Sequence, residues 1–523
     1  MSEAVTLPHV VLAAAADRGN HPAIIEDSRQ IGYAALAEEM LAAARAFVRA
    51  GLEPGDRVAI WAHNGIDWVI ACLGAQAAGG IVVPINTRLK GLEAQYALAH
   101  SGARFLVHSS LFIGIDYRAM LRGLDLPQLG QVIAIPTAEA DTDEWRNFIA
   151  AAANDEQAGA EAARRLAALT GESPSDILFT SGTTGAPKGV LTLHGQNVRT
   201  YREWNRATSL AANDRYALIW PFFHCSGYKS GWLASLLAGA TLYPQAVFET
   251  GKLVRLVADE KITMLPGPPT LFQSLLESEE ARAGALSSLR VAITGATMVA
   301  PSLIQAMHDD LGIEQILTGY GLTECCGTAT MTSASDPTEI LITSPGKAIA
   351  GTEIAIKDAD GALLGPGQEG EVVICGDNVM QGYFNDPAAT AEAIDAEGWL
   401  HTGDLGKIDE RGYLFITGRQ KDVYIVGGFN CYPAEIEAMM AHHPAVVEVA
   451  VVGVPDHRMG EVGKAFVVAR SDGGKPDPAQ IIDWCRQNMA NFKVPRSIVL
   501  VDALPRTSTG KVQKFRLQAG EFG

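Results

Sequence analysis

The sequence predicts an α/β protein: a large multi-subdomain α/β domain over residues 1–418 with a β-rich end, then a small α+β domain over 419–523. Three observations carry this expectation. Apolar strand-like runs alternate with helical patterns from about residue 22 to 420, as in a largely parallel α/β architecture. After residue 340 the texture changes to short strands with Gly-rich turns, and it changes again near Gly418–Asp422. At 523 residues the chain also exceeds the roughly 250–300 at which one hydrophobic core stops growing, so at least two domains are expected.

Taken in order, Tyr33–Gly51 has the apolar spacing of a helix, and RVAIWA, GIVVPIN and ARFLVHS read as short buried strands. The longest uncharged run, Trp68 to Thr87, could span a bilayer by length, but Gln76, Gly79-Gly80 and Pro84 break it into a buried helix followed by a strand. The Ala-rich stretch Trp145–Leu169 reads as an amphipathic or solvated helix. DILFTSG, TMLPGPP and LRVAITGA are further strands, with a helix at Leu253–Lys261. GTEIAIKDADGALLGPGQEGEVVICG supplies the β-rich end. Beyond Gly418–Asp422 come helix PAEIEAMMAHH, strands VEVAVVGV and KAFVVAR, helix DPAQIIDWCRQNMA and strand SIVLV.

Charge and composition exclude several functions. A formal net charge of −18 disfavours nucleic acid and anionic membranes as partners, so any bound anion must be held by local donors. The first twenty residues lack a basic n-region, which argues against a secretory signal. The 7 cysteines have no CxxC spacing, so neither a disulfide framework nor a zinc site is expected, and a reducing cytoplasm fits.

Residues 180–189, TSGTTGAPKG, follow an apolar strand and concentrate hydroxyls, glycines and a lysine in one loop. Glycines let backbone N–H groups approach an anion, hydroxyls donate further bonds, and Lys188 adds a point charge suited to phosphate. The Walker pattern fails, because Pro187 precedes Lys188 and Gly189 follows it.

With YGLTE at 320–324, HTGD at 401–404, GRQKD at 418–422 and PRTSTGK at 505–511, the loop makes the chain resemble the adenylate-forming superfamily essentially end to end. That superfamily holds acyl-CoA synthetases, aryl-CoA ligases, luciferases and peptide-synthetase adenylation domains. The resemblance implies an acid–thiol ligase using ATP, Mg²⁺ and coenzyme A, through acyl-AMP to acyl-CoA. Bringing a carboxylate to a triphosphate joins two anions, which requires fixed donors and positive charge.

By that resemblance Thr180, Ser181, Gly182, Thr183, Thr184 and Lys188 hold the β and γ phosphates. Glu324 holds Mg²⁺, Thr323 reaches the α-phosphate, and Tyr320 stacks on adenine while Gly321 leaves room. Asp404 accepts the ribose hydroxyls with help from Arg419, and Gly295, Ala296 and Thr297 complete the nucleotide contacts. Lys511, on a small domain implied to be mobile, bridges carboxylate and α-phosphate, and Lys421 is the hinge. Gly427 and Gly428 line the pantetheine tunnel; Arg88 meets the CoA nucleotide, as do basic positions near Phe492, Lys493 and Arg496, which vary within the family.

For the acid, PFFHCSGYKSG resembles the pocket wall of acyl-CoA ligases, with His224 beside the carboxylate and Tyr228, Lys229, Gly319 and Cys325 around it. His224 stands where amino-acid-activating relatives place an aspartate, so an amino acid is disfavoured. Lys229 has two readings, a substrate-facing ammonium that meets a distal oxygen of the acid, or a snorkelling side chain. PFFH, GYK, LPGPPT and NVMQGY resemble bacterial ligases for the ring-bearing propanoate left from steroid degradation. A medium-chain or fatty acid stays open, as do an aryl-CoA ligase, an acyl-AMP ligase that loads a carrier protein, a luciferase-like oxidase, an inactive nucleotide-binding scaffold and a homodimer.

Overall fold

The computed structural model describes residues 4–181, 187–295, 301–419, 423–431, 433–469, 476–505, 512 and 514–520. The chain divides into two compact units: Met1–Thr87, Gln95–Phe179 and Gly189–Thr417 form one, and Arg88–Ala94, Thr180–Lys188 and Gly418–Gly523 the other.

The first unit is built on two seven-stranded sheets. In one, Arg57–Trp61 pairs in parallel with both Ile81–Pro84 and Ala103–Ser109, and Ile81–Pro84 pairs in parallel with Pro174–Ser181. Parallel strands covered on both faces need near-continuous apolar runs, which is why RVAIWA and GIVVPIN were legible. Pro187–Leu193 lies next to Pro174–Ser181, and Gly382–Tyr383 adds an antiparallel edge to it. Helix Ile66–Ala77 is buried along almost its whole length and leads to Ile81–Pro84, as the breakers in Trp68–Thr87 predict. Among the described residues no helix is long and apolar enough to cross a membrane.

The second seven-stranded sheet carries Met264–Gly267 and Val291–Thr294 side by side in parallel. The β-rich end is a four-stranded sheet in which Gly370–Gly376 pairs antiparallel with Thr352–Lys357 and Leu400–Ile408. The Ala-rich stretch is two helices, Glu144–Ala150 and Glu156–Ala168. Asp155 caps the second through the backbone N–H of Ala158.

The second unit contains a five-stranded sheet whose long hairpin, Val446–Asp456 with Gly460–Ala469, is flanked by Ser497–Leu500 in parallel. Helices Pro433–Met440 and Pro478–Asn488 complete the α+β texture. In VGGFNCYP, expected to line a ligand tunnel, Tyr424–Val426 and Phe429–Cys431 pair as a hairpin around Gly427-Gly428. Both glycines have positive φ, 55° and 86°, which a tight two-residue turn requires, so their presence is accounted for without a ligand.

Candidate functional site

The loop expected to hold phosphates, whose residues Thr180–Lys188 belong to the second unit, is framed by two strands. Pro174–Ser181 enters the loop and Pro187–Leu193 leaves it, with Thr180 on the first and Lys188 at the start of the second. Gly182, Thr183 and Thr184 lie outside the described residues, and of Ser181 only the strand backbone is described.

Two of the residues expected at the nucleotide meet directly. Tyr320 sits on a two-residue strand opposite Thr330, and its hydroxyl donates to Asp404 Oδ2 at 2.7 Å. Burial, then the Asp404 charge, pushes the Tyr320 phenol well above its ordinary range, so it stays a neutral donor. Asp404 is itself buried at 2% exposure, its N–H donating to Thr402 Oγ1. The expected aromatic and ribose acceptor are thus brought together. Gly321 has a second reason for lacking a side chain, since a Cβ there would lie 2.5 Å from the Gly327 carbonyl oxygen. Gly295 approaches Gly319, whose carbonyl would be 3.5 Å from a Cβ at 295. Ala296 and Thr297 lie outside the described residues, and Arg419 is described only as strand backbone.

Glu324 is held in the one-turn 3₁₀ helix Thr323–Cys325. Tyr383 Oη donates to Glu324 Oε1 at 3.0 Å, and the Met380 N–H donates to the Glu324 carbonyl at 2.8 Å. Tyr383 in turn pairs with Val190 on the strand leaving the phosphate loop. One hard carboxylate linked through Tyr383 to the strand that carries Lys188 fits Mg²⁺, which is ordinarily held by one or two carboxylates plus substrate phosphates.

The segment expected to wall the acid pocket runs from Pro221 into the π-helix Tyr228–Leu233. His224 is exposed and caps the turn Cys225–Gly227, its Nδ1 accepting from the Ser226 N–H at 3.2 Å. Tyr228 stacks on Trp232 at 4.9 Å and meets Trp68 edge-on at 5.6 Å, while its hydroxyl accepts from Gln76 Nε2 at 2.8 Å. Tyr228 is fully buried, and its hydroxyl is taken up by the core. Cys325 is likewise buried, its thiol receiving the Leu322 N–H at 3.1 Å.

Lys229 needs a correction. It neither snorkels nor turns a lone ammonium to the acid: its Nζ stands 3.1 Å from Asp176 Oδ1 and donates to Thr192 Oγ1 at 3.0 Å, with Lys229 and Asp176 both at 0% exposure. Burial lowers the Lys229 pKa, but the Asp176 charge and hydrogen bond, with Cys326 and Cys225 nearby, together outweigh it and the ammonium stands above its ordinary value. A substrate oxygen is not required to compensate this charge, so the physical argument for a keto-acid from Lys229 falls away. Asp176 and Thr192, which hold Lys229, were assigned no role from the sequence, and Tyr383, which holds Glu324, closes the quoted stretch NVMQGY without having been singled out. One signal was available for Asp176: an acid at the head of an apolar strand and a lysine in an apolar wall are each other's natural partner.

In the second unit Arg88 lies over the Phe429 ring at 4.0 Å, and Phe429 stacks on Phe492 at 4.7 Å. Lys493, expected near the CoA nucleotide, is buried between two carboxylates, 3.0 Å from Glu93 Oε1 and bonded to Glu435 Oε1. Lys421 and Lys511 lie outside the described residues.

Comparison with known proteins agrees with the motif order. The AMP-binding enzyme family matches residues 11–384, and the AMP-binding enzyme C-terminal domain matches 435–511. A methyl-dioxo-octahydroindenyl-propanoyl:CoA ligase of Mycobacterium tuberculosis is 46% identical over 95% of this chain and 96% of its own. The ligase of the same name from Rhodococcus jostii is 43% identical over 97% of each. Among solved structures, o-succinylbenzoate CoA synthetase of Bacillus subtilis superposes with a TM-score of 0.85 at 28% identity, covering 98% of both chains.

Proposed function

The chain belongs to the AMP-binding enzyme family, and we propose that the acid it activates is a ring-bearing propanoate of the kind left by steroid degradation. The reaction class is ATP-dependent acid–thiol ligation. A carboxylate oxygen attacks the α-phosphorus of ATP, the bond to pyrophosphate breaks, and acyl-AMP forms. The CoA thiol then adds to the acyl carbon, AMP departs with the bonding pair, and the thioester remains.

The roles proposed for this chain follow that charge flow. Thr180, Ser181, Thr183, Thr184 and Lys188 hold the β and γ phosphates, where fixed donors offset the anions being joined. Glu324, oriented by Tyr383, holds Mg²⁺, which when bound neutralises phosphate charge. Asp404, oriented by Tyr320, accepts the ribose hydroxyls. Lys511 neutralises charge at the α-phosphate, and His224 stands beside the acid's carboxylate. The remaining roles on the nucleotide, hinge and CoA side are proposed as the motif resemblance implies them. Seven free cysteines suit a reducing, cytoplasmic setting, and a homodimer is the assembly to test by light scattering.

The observation that carries the choice of acid is the shared name of the two relatives, each matched over nearly the whole chain. The test is acyl-CoA formation by mass spectrometry over a panel of polycyclic keto-acid propanoates, aryl acids and fatty acids. The expected result is the highest kcat/KM for a fused-ring keto-propanoate. A preference for a plain medium-chain acid would replace this acid while leaving the reaction class intact.

A further inference from the structure

We propose that Lys229 and Asp176 are positioning residues that bind the two strands flanking the phosphate loop to the wall of the acid pocket, so that adenylation depends on their geometry without either touching a substrate. The proposal rests on the reading of the phosphate loop and acid wall above.

Asp176 lies on the strand entering the loop, four residues before Thr180, and Thr192 lies on the strand leaving it, four residues after Lys188. Lys229 belongs to the π-helix of the acid wall. Its Nζ reaches both strands at once, 3.1 Å from Asp176 Oδ1 and 3.0 Å from Thr192 Oγ1. Thr192 Oγ1 donates to Asp176 Oδ1 at 2.9 Å, and Asn197 Nδ2 donates to Asp176 Oδ2 at 2.8 Å. All four side chains are fully buried.

A parallel link lies one residue earlier on each side. Gln76 Nε2 donates to Tyr228 Oη at 2.8 Å and to Ser175 Oγ at 3.0 Å. Consecutive residues of the π-helix are therefore joined to consecutive residues of the entering strand. The leaving strand reaches further, because Val190 pairs with Tyr383, whose hydroxyl holds Glu324. The same strand thus sets the acid wall on one side and the metal carboxylate on the other.

Stability alone is a poor reason for such a pair, since replacing a buried ion pair by well-packed apolar residues is often neutral or stabilising. What apolar contact cannot do is fix register: a salt bridge with three further hydrogen bonds has one geometry, whereas a hydrophobic contact tolerates sliding. In-line attack is sensitive to that difference, and a displacement of about 1 Å can cost on the order of 10²-fold in rate.

The test compares wild type with Lys229→Met, Lys229→Met/Asp176→Leu and Thr192→Val. Three quantities are read: thermal unfolding, pyrophosphate release with acid and MgATP varied separately, and thioester formation from supplied acyl-AMP and CoA. Lys229→Met alone strands a buried carboxylate and is expected to unfold early. The double variant is expected to unfold near wild type, with adenylation kcat down about 10²-fold and both KM values within about threefold. Thioester formation from acyl-AMP stays within about threefold of wild type. Thr192→Val keeps the ion pair and loses the bridging hydroxyl, and its adenylation kcat is expected to fall about tenfold.

A double variant that folds and adenylates within about threefold of wild type would overturn the proposal. So would a rise confined to the acid's KM, which marks direct contact. Should the double variant not fold, Thr192→Val decides: an unchanged adenylation kcat overturns the proposal. A folded wild type that releases no pyrophosphate with any acid sinks the underlying reading of the reaction, a result visible before any variant is made.

Discussion

Lys229 in the first unit and Lys493 in the second are both buried, at 0% and 6% exposure, yet they are neutralised differently. Lys229 meets one carboxylate, Asp176, and that carboxylate's other oxygen is taken by Asn197. The pair is closed and neutral. Lys493 meets Glu93 and Glu435 together, so its cluster carries an excess negative charge, and Glu435 Oε2 finds no hydrogen-bond partner among the described residues. A closed pair fails when either member is removed, because each leaves a lone buried charge. An over-charged cluster becomes neutral when one acid is lost.

The largest effect is therefore expected from Lys229→Met, at about 3–5 kcal/mol of unfolding free energy. Denaturant titration checks it, and a loss under about 1 kcal/mol would break the comparison at its first term. Lys511→Ala sharpens it from the other direction, as a lysine assigned to the reacting atoms. Acyl-AMP formation should fall about 10²–10³-fold with the unfolding midpoint unmoved. Thioester formation from supplied acyl-AMP should stay within about threefold, and equal loss in both half-reactions would remove the assignment.

Tyr383→Phe deletes a single hydroxyl bond to Glu324 and leaves every charge in place. About 1 kcal/mol, or roughly fivefold in kcat/KM for MgATP, is expected. No change in the Mg²⁺ dependence would show that Glu324 is oriented without it.

The smallest effect belongs to Glu93→Gln, which leaves Lys493 a one-to-one pair with Glu435 and should shift stability at neutral pH by less than about 1 kcal/mol. Its signature is in pH. Burial raises the Glu93 pKa, Lys493 only partly opposing it, so the folded chain binds that proton more tightly than the unfolded one. Stability in wild type should therefore fall as pH rises from the ordinary carboxylate value through the raised one. Glu93→Gln should flatten that slope in unfolding measured across a pH series. An unchanged slope would assign it to other groups.

Much of the fold was legible because its signals are local. RVAIWA, ARFLVHS and LRVAITGA each carry a short apolar core (VAIWA, FLV, VAI) of the kind that a strand covered on both faces needs, and each is a strand in the structure. Motif order gave Tyr320 and Asp404 as neighbours of one expected nucleotide, but their direct hydrogen bond is seen only in the structure. The hairpin turn at Gly427-Gly428 was not legible, because adjacent glycines suit a two-residue turn as well as close approach to a ligand, and only strand pairing reveals the turn. The division of Trp145–Leu169 into two helices was missed because alanine keeps helix propensity high across the break.

By itself the sequence determined which residue types stand in which order, and so the reaction class: hydroxyls, glycines and Lys188 after a strand, an acid at 324, an acid at 404 and a lysine at 511. Each is a statement about chemistry along one chain. Only the tertiary structure decided which charges meet. Lys229 could have faced the acid, water or a carboxylate, and the outcome turned on the sheet placing Asp176 and Thr192 on neighbouring strands beneath the π-helix. Coulomb attraction acts over a few ångströms of space and is indifferent to separation along the chain, so a buried lysine's role is settled by strand order and not by its neighbours in sequence.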